Sequence, residues 1–298
     1  LEYAGALSGA VYKLKQLGDL RLASKYSEEY LKTIEKYKDR DPGKYLDSLV
    51  LAIQMGTLTT QENHVKKSLE LYKSALSFCE AKLGNKYKKY SKILAGLGLG
   101  YAQLGNYSKG EAYLQKALKY EDKNAKYDQE KFEIYHALKE VYTSIRAYDK
   151  ALDMATPISE ILKNEYGSNS NVYGSTLRDI GWLSCAMGKC EQGRKLLTQS
   201  LRIQKNYNKI PDVEYGITLL LGMFIEQQFQ NFSGYEKYSA ELKESIKINP
   251  SLKLLEVFAQ ASEVNVKIYQ GDFVLAEEMQ KNFLNTTSSI TGTHNLNY

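Results

Sequence analysis

The chain has 298 residues, of which 43% are hydrophobic and 25% charged, and its formal net charge is +5. No stretch approaches the ~18 uninterrupted apolar residues of a membrane-spanning helix, and the opening Leu-Glu-Tyr lacks the basic segment of a signal peptide. Three cysteines are too few for a disulfide framework, so we expect a cytoplasmic protein in a reducing setting, without membrane insertion.

A short phrase recurs along the chain, in which a small residue follows a turn and opens a helix. Its small residues are Ala23, Ser68, Gly110, Ala151, Gly193, Gly234 and Ala276. Their spacing is 45 residues once and then 41 or 42 residues in each later interval. Such constancy indicates an array of structural repeats rather than chance apolar clustering.

The third repeat shows the internal pattern most clearly. Apolar residues recur at helical spacing from Leu94, stop at Gly105 and resume at Tyr107. Because Gly105 followed by Asn106 suits the left-handed turn that ends a helix, each repeat is predicted to contain two helices. Equivalent turns are predicted at Gly18, Arg146, Gly188 and Gly271.

The repeat boundaries follow from this period. We predict one array over 1–285, with repeats at about 1–41, 44–84, 86–124, 128–166, 171–208, 212–249 and 251–285. Residues 286–298 are predicted to be a tail or the start of a further truncated repeat, because they are similar to the stretches that precede the fifth and sixth repeats. Pro157 falls inside a second helix and is expected to kink it or end it early.

Small residues inside the helices predict where two antiparallel helices cross closely. Glycine in mid-helix costs roughly 1 kcal/mol against alanine, so its recurrence at one position indicates close approach. The expected facing pairs are Gly98 with Gly110, Gly181 with Gly193, and Gly222 with Gly234.

Tyrosine is unusually frequent, with 25 copies against 8 phenylalanines and 1 tryptophan. Four of these tyrosines, at positions that recur with the period, are predicted to pack between helices while their hydroxyls reach the edge. They are Tyr101, Tyr107, Tyr142 and Tyr148.

The phrase Leu-x-x-Leu-Gly-x-x-Tyr, followed by Gly-x-Tyr and small-x-x-x-Leu-x-x-Ala, resembles the tetratricopeptide repeat. The 42-residue spacing resembles the long-helix variant found in kinesin light chains, and residues 71–84 look like that family's second helix. The resemblance covers essentially the whole chain. It implies an all-α, right-handed superhelix of about seven helix-turn-helix units, whose first helices line a concave groove that binds a partner peptide or protein segment.

A projection of the first helices down their axes separates the side chains that pack within the array from those that alternate with them and face the groove. The predicted groove residues are Gln103, His136, Glu140, Arg178, Trp182, Glu226 and Gln227, and Leu99, Ser144, Cys185 and Met223 fall on the same lines. Arg178 and Trp182 are four residues apart and share a helical face, so they could anchor an acidic or aromatic peptide. The alternative is that Trp182 fills the space between repeats.

Kinesin light chains carry Leu-Asn-Asn-Leu-Ala on their first helices. The corresponding stretches here begin at Leu94, Tyr135, Leu177 and Thr218, and none has asparagine at those places. We therefore expect the scaffold without the kinesin-type peptide ligand.

The sequence offers little that could support catalysis or bind a cofactor. Gly96, Gly98 and Gly100 resemble a phosphate loop, but they lie inside an apolar helical pattern with no preceding strand. Cys185 and Cys190 have no second ligand pair nearby for zinc, and we expect them to be buried structural cysteines. We predict a protein that is not an enzyme and that uses no cofactor and no metal.

Two alternatives remain open for the partner and the context. Both ends look truncated, so the array could be a regulatory or sensor segment of a larger multidomain protein or complex, such as a nucleotide-driven switch or an effector. The lysines between Lys82 and Lys92, interleaved with Tyr87 and Tyr90, could bind RNA through phosphate contacts and stacking. A solvated junction between repeats is the favoured interpretation of that segment, so a nucleic-acid partner is not expected.

Overall fold

The structure is a computed structural model that describes residues 2–57, 62–120 and 129–291. Over these ranges it is all-α, with no strand, as predicted. The helices are α1 (Glu2–Gln16), α2 (Leu20–Glu35), α3 (Pro42–Thr57), α4 (Glu62–Lys82), α5 (Tyr90–Gln103), α6 (Tyr107–Tyr120), α7 (Gln129–Ser144), α8 (Tyr148–Tyr166), α9 (Asn171–Ala186), α10 (Cys190–Tyr207), α11 (Val213–Gln228), α12 (Phe232–Ile248), α13 (Lys253–Tyr269) and α14 (Phe273–Thr291).

Each predicted repeat corresponds to two successive helices, a first helix with an odd number and a second helix with an even number. The chain divides into two compact units, Leu1–Arg146 with α1 to α7 and Ala147–Tyr298 with α8 to α14. Within each compact unit, consecutive helices pack together, and neighbouring first helices also touch: α5 touches α7, and α11 touches both α9 and α13. The last helix continues to Thr291, six residues past the predicted limit of 285. Residues 292–298 of the predicted tail, and the predicted boundary at 124–128, lie outside the described residues.

The turns inside the helical pairs share one backbone conformation. One residue in each turn has a positive φ, which is 77° to 80° where that residue is glycine and 60° where it is Arg146. These values confirm the predicted turns. Gln230, with φ of 52°, occupies the same place in the turn between α11 and α12. In the third pair the amide of Asn106 then bonds to the carbonyl of Tyr101 at 2.9 Å, and the Asn106 side chain accepts from the Lys109 amide. One residue thus ends the first helix while the next caps the second. The glycines at this position are Gly18, Gly105, Gly188 and Gly271.

The prolines mark the helix starts but do not end α8. Pro42 begins α3, and Pro250 begins a short 3-10 turn before α13. The predicted early end at Pro157 is wrong, because α8 continues through it to Tyr166. The helix therefore continues even though Pro157 has no N–H to donate and its ring lies within the helix.

Two of the three predicted glycine pairs are confirmed. A Cβ on Gly98 would lie 3.0 Å from the carbonyl oxygen of Gly110, and a Cβ on Gly193 would lie 2.5 Å from that of Gly181. The third pair is wrong, because Gly222 meets the ring of Tyr238 instead of Gly234. The large ring takes the space that a close backbone crossing would otherwise use.

Three of the four recurring tyrosines pack between helices, as the period predicted. Tyr142 is buried, and its hydroxyl donates to Glu111 at 3.0 Å and accepts from Gln115 at 2.9 Å. In the same compact unit the rings of Tyr101 and Tyr113 stack at 5.6 Å, and Tyr107 is half-buried. Tyr148, in the second compact unit, packs edge-on against Trp182, also at 5.6 Å.

Acid should weaken the contact that Glu241 makes between α10, α11 and α12. Burial alone would raise the pKa of Glu241, but hydrogen bonds from Lys205 at 2.6 Å and from the Tyr215 hydroxyl outweigh it and lower that pKa below its ordinary 4.5. Burial of Tyr215 and its hydrogen bond to the Glu241 carboxylate raise the pKa of the tyrosine hydroxyl. A carboxyl group whose pKa is lowered by folding stabilises the folded state fully when the pH is above the ordinary pKa of that group. This stabilisation is lost as the pH falls through the lower pKa of the folded state.

We therefore expect Glu241→Gln to flatten the acid limb of a plot of unfolding free energy against pH. Urea titrations at several pH values between neutrality and the acid range measure it. Parallel curves for the variant and the wild type would contradict the assignment.

Candidate functional site

Arg178, one of the predicted groove residues, is already engaged within the protein. Its guanidinium donates to Asp179 at 2.9 and 3.1 Å and pairs with Glu214 of the next first helix. Burial would lower the pKa of Arg178, but the two carboxylates outweigh it and raise that pKa. Ser175 also donates to Glu214, at 2.9 Å. An acidic ligand would have to displace Glu214 to reach this cation.

Trp182 is half-buried on α9 and contacts Tyr148 at the start of α8. The two rings meet edge to face at an interplanar angle of 85°. This contact gives Trp182 a packing role between successive helices and leaves part of the indole accessible.

Glu226 lies inside the second compact unit and is 5% exposed. It accepts 2.6 Å hydrogen bonds from Arg194 of α10 and from the Asn231 side chain, which caps α12. Its carboxylate therefore joins three helices and is engaged within the fold. Met223, four residues from Gln227, is fully buried, whereas Gln227 itself is half-buried.

The remaining predicted residues belong to the first compact unit. Gln103 on α5 and His136 and Glu140 on α7 are all exposed, and these two first helices touch each other. His136 lies 6.3 Å from the ring of Phe132, and Glu140 is 3.3 Å from the Lys139 ammonium. The seven predicted residues thus divide between two compact units, with three in the first and four in the second.

Exposed apolar side chains on the first helices of the second compact unit escaped the sequence reasoning. Phe224 on α11 is 42% exposed, and Leu254 and Phe258 on α13 are each 59% exposed. Leu254 and Phe258 are four residues apart and share a helical face. The sequence shows this as two apolar pairs with the same spacing of four residues: the exposed pair Leu254 and Phe258, and directly after each member the buried pair Leu255 and Ala259.

The basic segment that could have suggested RNA binding is largely ion-paired. Lys88 lies 2.8 Å from Asp47, and Lys89 and Lys92 lie 3.2 and 3.7 Å from Glu130. The interleaved hydroxyls are bonded as well, from Tyr87 to Asp47 and from Tyr90 to Glu80. These partners favour a solvated junction over a nucleic-acid surface.

Cys185 is buried, as expected, whereas Cys190 is only partly buried. The two form a disulfide across the α9–α10 turn, which was not predicted. Cys79 is free and buried.

Within residues 2–57, 62–120 and 129–291, no group of three or more His, Cys, Asp or Glu side chains is arranged to hold a metal ion. No described helix combines the length and hydropathy needed to cross a membrane.

No protein-family model matches this sequence, and no curated protein matches it significantly. Solved structures do match its fold. BtubC (BKLC) from P. vanneervenii has a TM-score of 0.62 at 15% identity, covering 74% of this chain and 87% of that one. A putative kinesin light chain from Podosopora anserina with nearly identical TPR-like repeats has a TM-score of 0.61 at 13% identity, covering 70% and 98%.

A third structure is a Signal Transduction ATPase with Numerous Domains (STAND) protein with a tetratricopeptide repeat sensor, from Pyrococcus horikoshii. Its TM-score is 0.62 at 18% identity, and the match covers 96% of this chain and 44% of that one. Identities this low establish the fold alone. The described part of this chain therefore has the tetratricopeptide-type fold of paired α-helices.

Proposed function

We propose that this chain is a non-enzymatic protein-interaction module that binds a segment of a partner protein through the first helices α9, α11 and α13. The observation that carries the proposal is the exposure of Phe224, Leu254 and Phe258 on first helices that pack against one another. Large apolar side chains that are left in water on neighbouring elements are typical of protein-interaction sites.

The surroundings indicate what kind of segment would fit. Because Arg178 is neutralised by Asp179 and Glu214, an apolar or aromatic anchor suits this surface better than an acidic one. Trp182 and Gln227, both partly accessible, are proposed as flanking contacts on α9 and α11. Gln103, His136 and Glu140 remain proposed contacts of the first compact unit.

The double variant Leu254→Asp with Phe258→Asp should bind the partner at least about tenfold more weakly. Each apolar side chain that becomes buried in the complex contributes on the order of 1 to 2 kcal/mol to binding. The partner is first captured with the wild-type chain, and its dissociation constant is then measured by calorimetry. Ile248→Asp is the matched control, because Ile248 is equally exposed, at 56%, but lies at the end of a second helix. Unchanged affinity in the double variant, or an equal loss in the control, would overturn the proposal.

A second candidate function is a sensor segment within a larger protein. It is favoured by the match of 96% of this chain to less than half of a STAND protein whose repeats are described as a sensor. The full reading frame tests this candidate. A start codon directly before Leu1 and a stop codon directly after Tyr298 would contradict it, whereas an ATPase domain in the same frame would support it.

A further inference from the structure

The α9–α10 turn carries the disulfide between Cys185 and Cys190, five residues apart. Cys185 lies in the last turn of α9, and Cys190 is the first residue of α10. Cys185 is buried, whereas Cys190 is partly exposed. Cys190 is therefore the half-cystine that a small reagent in solution approaches first.

The other turns of this kind close without a disulfide. Counted from the left-handed residue, the two cysteines occupy the positions three before and two after Gly188. The equivalent residues are Lys15 and Leu20, Ala102 and Tyr107, Thr143 and Tyr148, Gln227 and Phe232, and Ile268 and Phe273. The later position thus holds an aromatic ring in four pairs, a leucine in one and a half-cystine in this one. Since the shared backbone conformation forms without a cross-link, the α9–α10 turn can survive loss of the bond.

The disulfide lies where the fifth helical pair meets α11. Cys185 belongs to a cluster with Leu197 and Ile225, and Cys190 and Leu221 pack against that cluster. Protein interiors are packed densely enough that small changes in volume are transmitted to neighbours. Separating two bonded sulfurs to contact distance would therefore disturb the packing of this cluster against α11.

We propose that Cys185–Cys190 is a reversible oxidation site, exchanged by a low-molecular-weight thiol such as glutathione, and that its reduction loosens the packing of α11. The inference is independent of the partner-binding proposal, because it concerns the chain alone.

The exchange proceeds in two steps. A glutathione thiolate attacks the accessible sulfur of Cys190, forming a mixed disulfide there, and Cys185 leaves as a thiolate that takes a proton from water. A second glutathione thiolate attacks the glutathione sulfur of that mixed disulfide, releasing the Cys190 thiolate and oxidised glutathione. The amide groups at the N-terminus of α10 stabilise the leaving thiolate of Cys190. Two glutathione thiols are oxidised, and one protein disulfide is reduced to two thiols.

The first measurement is a titration of the full chain in buffers of varied reduced-to-oxidised glutathione ratio. Differential alkylation and mass spectrometry then report the state of each cysteine. Cys79→Ala in all samples removes the third thiol. We expect Cys185 and Cys190 to pass together from protected to alkylated as reduced glutathione increases. Alkylation of both residues even in excess oxidised glutathione, or protection of both in excess reduced glutathione, would overturn reversibility.

The second measurement is amide hydrogen exchange across α11 in the oxidised and reduced chains. We expect exchange around Leu221 and Ile225 to be about tenfold faster after reduction, since a short cross-link at a packed contact contributes on the order of one factor of ten locally. The matched control is Cys185→Ala with Cys190→Tyr, which copies Ala102 and Tyr107 of the third pair. Its exchange should not respond to glutathione. Equal exchange in the oxidised and reduced chains, or an equal response in the control, would overturn the coupling to α11.

Discussion

Gly193→Val should lower the free energy of unfolding by about 3 kcal/mol. The new Cβ would lie 2.5 Å from the carbonyl oxygen of Gly181 and 3.3 Å from the Cβ of Cys185. The first of these contacts is with backbone, which cannot rotate away as a flexible side chain can. The two helices α9 and α10 must therefore separate. Urea unfolding followed by circular dichroism measures the loss.

Gly9→Ala is the control for this substitution. Gly9 is also helical, but a Cβ there meets nothing within 4 Å, so the change should raise stability by up to about 1 kcal/mol through helix propensity. An unfolding midpoint for Gly193→Val equal to that of the wild type would contradict the close helix crossing.

Glu226→Ala should cost about 3 kcal/mol, because it leaves Arg194 and the capping side chain of Asn231 without their carboxylate partner. Chemical denaturation of the purified chain measures this cost. Glu244→Ala serves as the control, since the side chains of Glu244 and its partner Lys247 are 63% and 74% exposed and the change should alter stability by less than about 0.5 kcal/mol.

A double substitution separates the charge of Glu226 from its volume. Arg194→Met combined with Glu226→Leu removes both charges and keeps apolar bulk, so it should recover much of the stability lost in Glu226→Ala. If Glu226→Ala costs no more than Glu244→Ala, then Glu226 is not a buried junction of three helices.

The period and the turns could be predicted from the sequence because both depend on local chemistry. A glycine that adopts positive φ is readable from its place between two apolar runs, as at Gly105 and Gly188. A mid-helix glycine is readable because it has a cost that only close packing offsets, as at Gly98 and Gly181.

The wrong prediction that Gly222 faces Gly234 shows what local sequence patterns cannot determine. Its position in the period equals that of Gly181, but the neighbouring second helix presents Tyr238 to it. Whether a glycine faces another backbone or receives a large ring depends on a residue sixteen positions away, and one sequence does not show which residue that is.

The candidate site was harder to predict than the fold for a similar reason. Arg178 and Glu226 follow the helical projection of groove residues, yet their partners Glu214 and Arg194 lie 36 and 32 residues away. A single sequence carries no sign of such pairing between helices. The projection could not separate a cation that is open to a ligand from one that is already neutralised, and it passed over Leu254 and Phe258.

The most direct test of partner binding through the first helices is a hydrogen-exchange comparison of the full chain with and without its captured partner. The account predicts slower exchange in α9, α11 and α13, greatest near Phe224 and Phe258, with α10 and α12 unchanged. Slower exchange confined to the second helices would contradict the account.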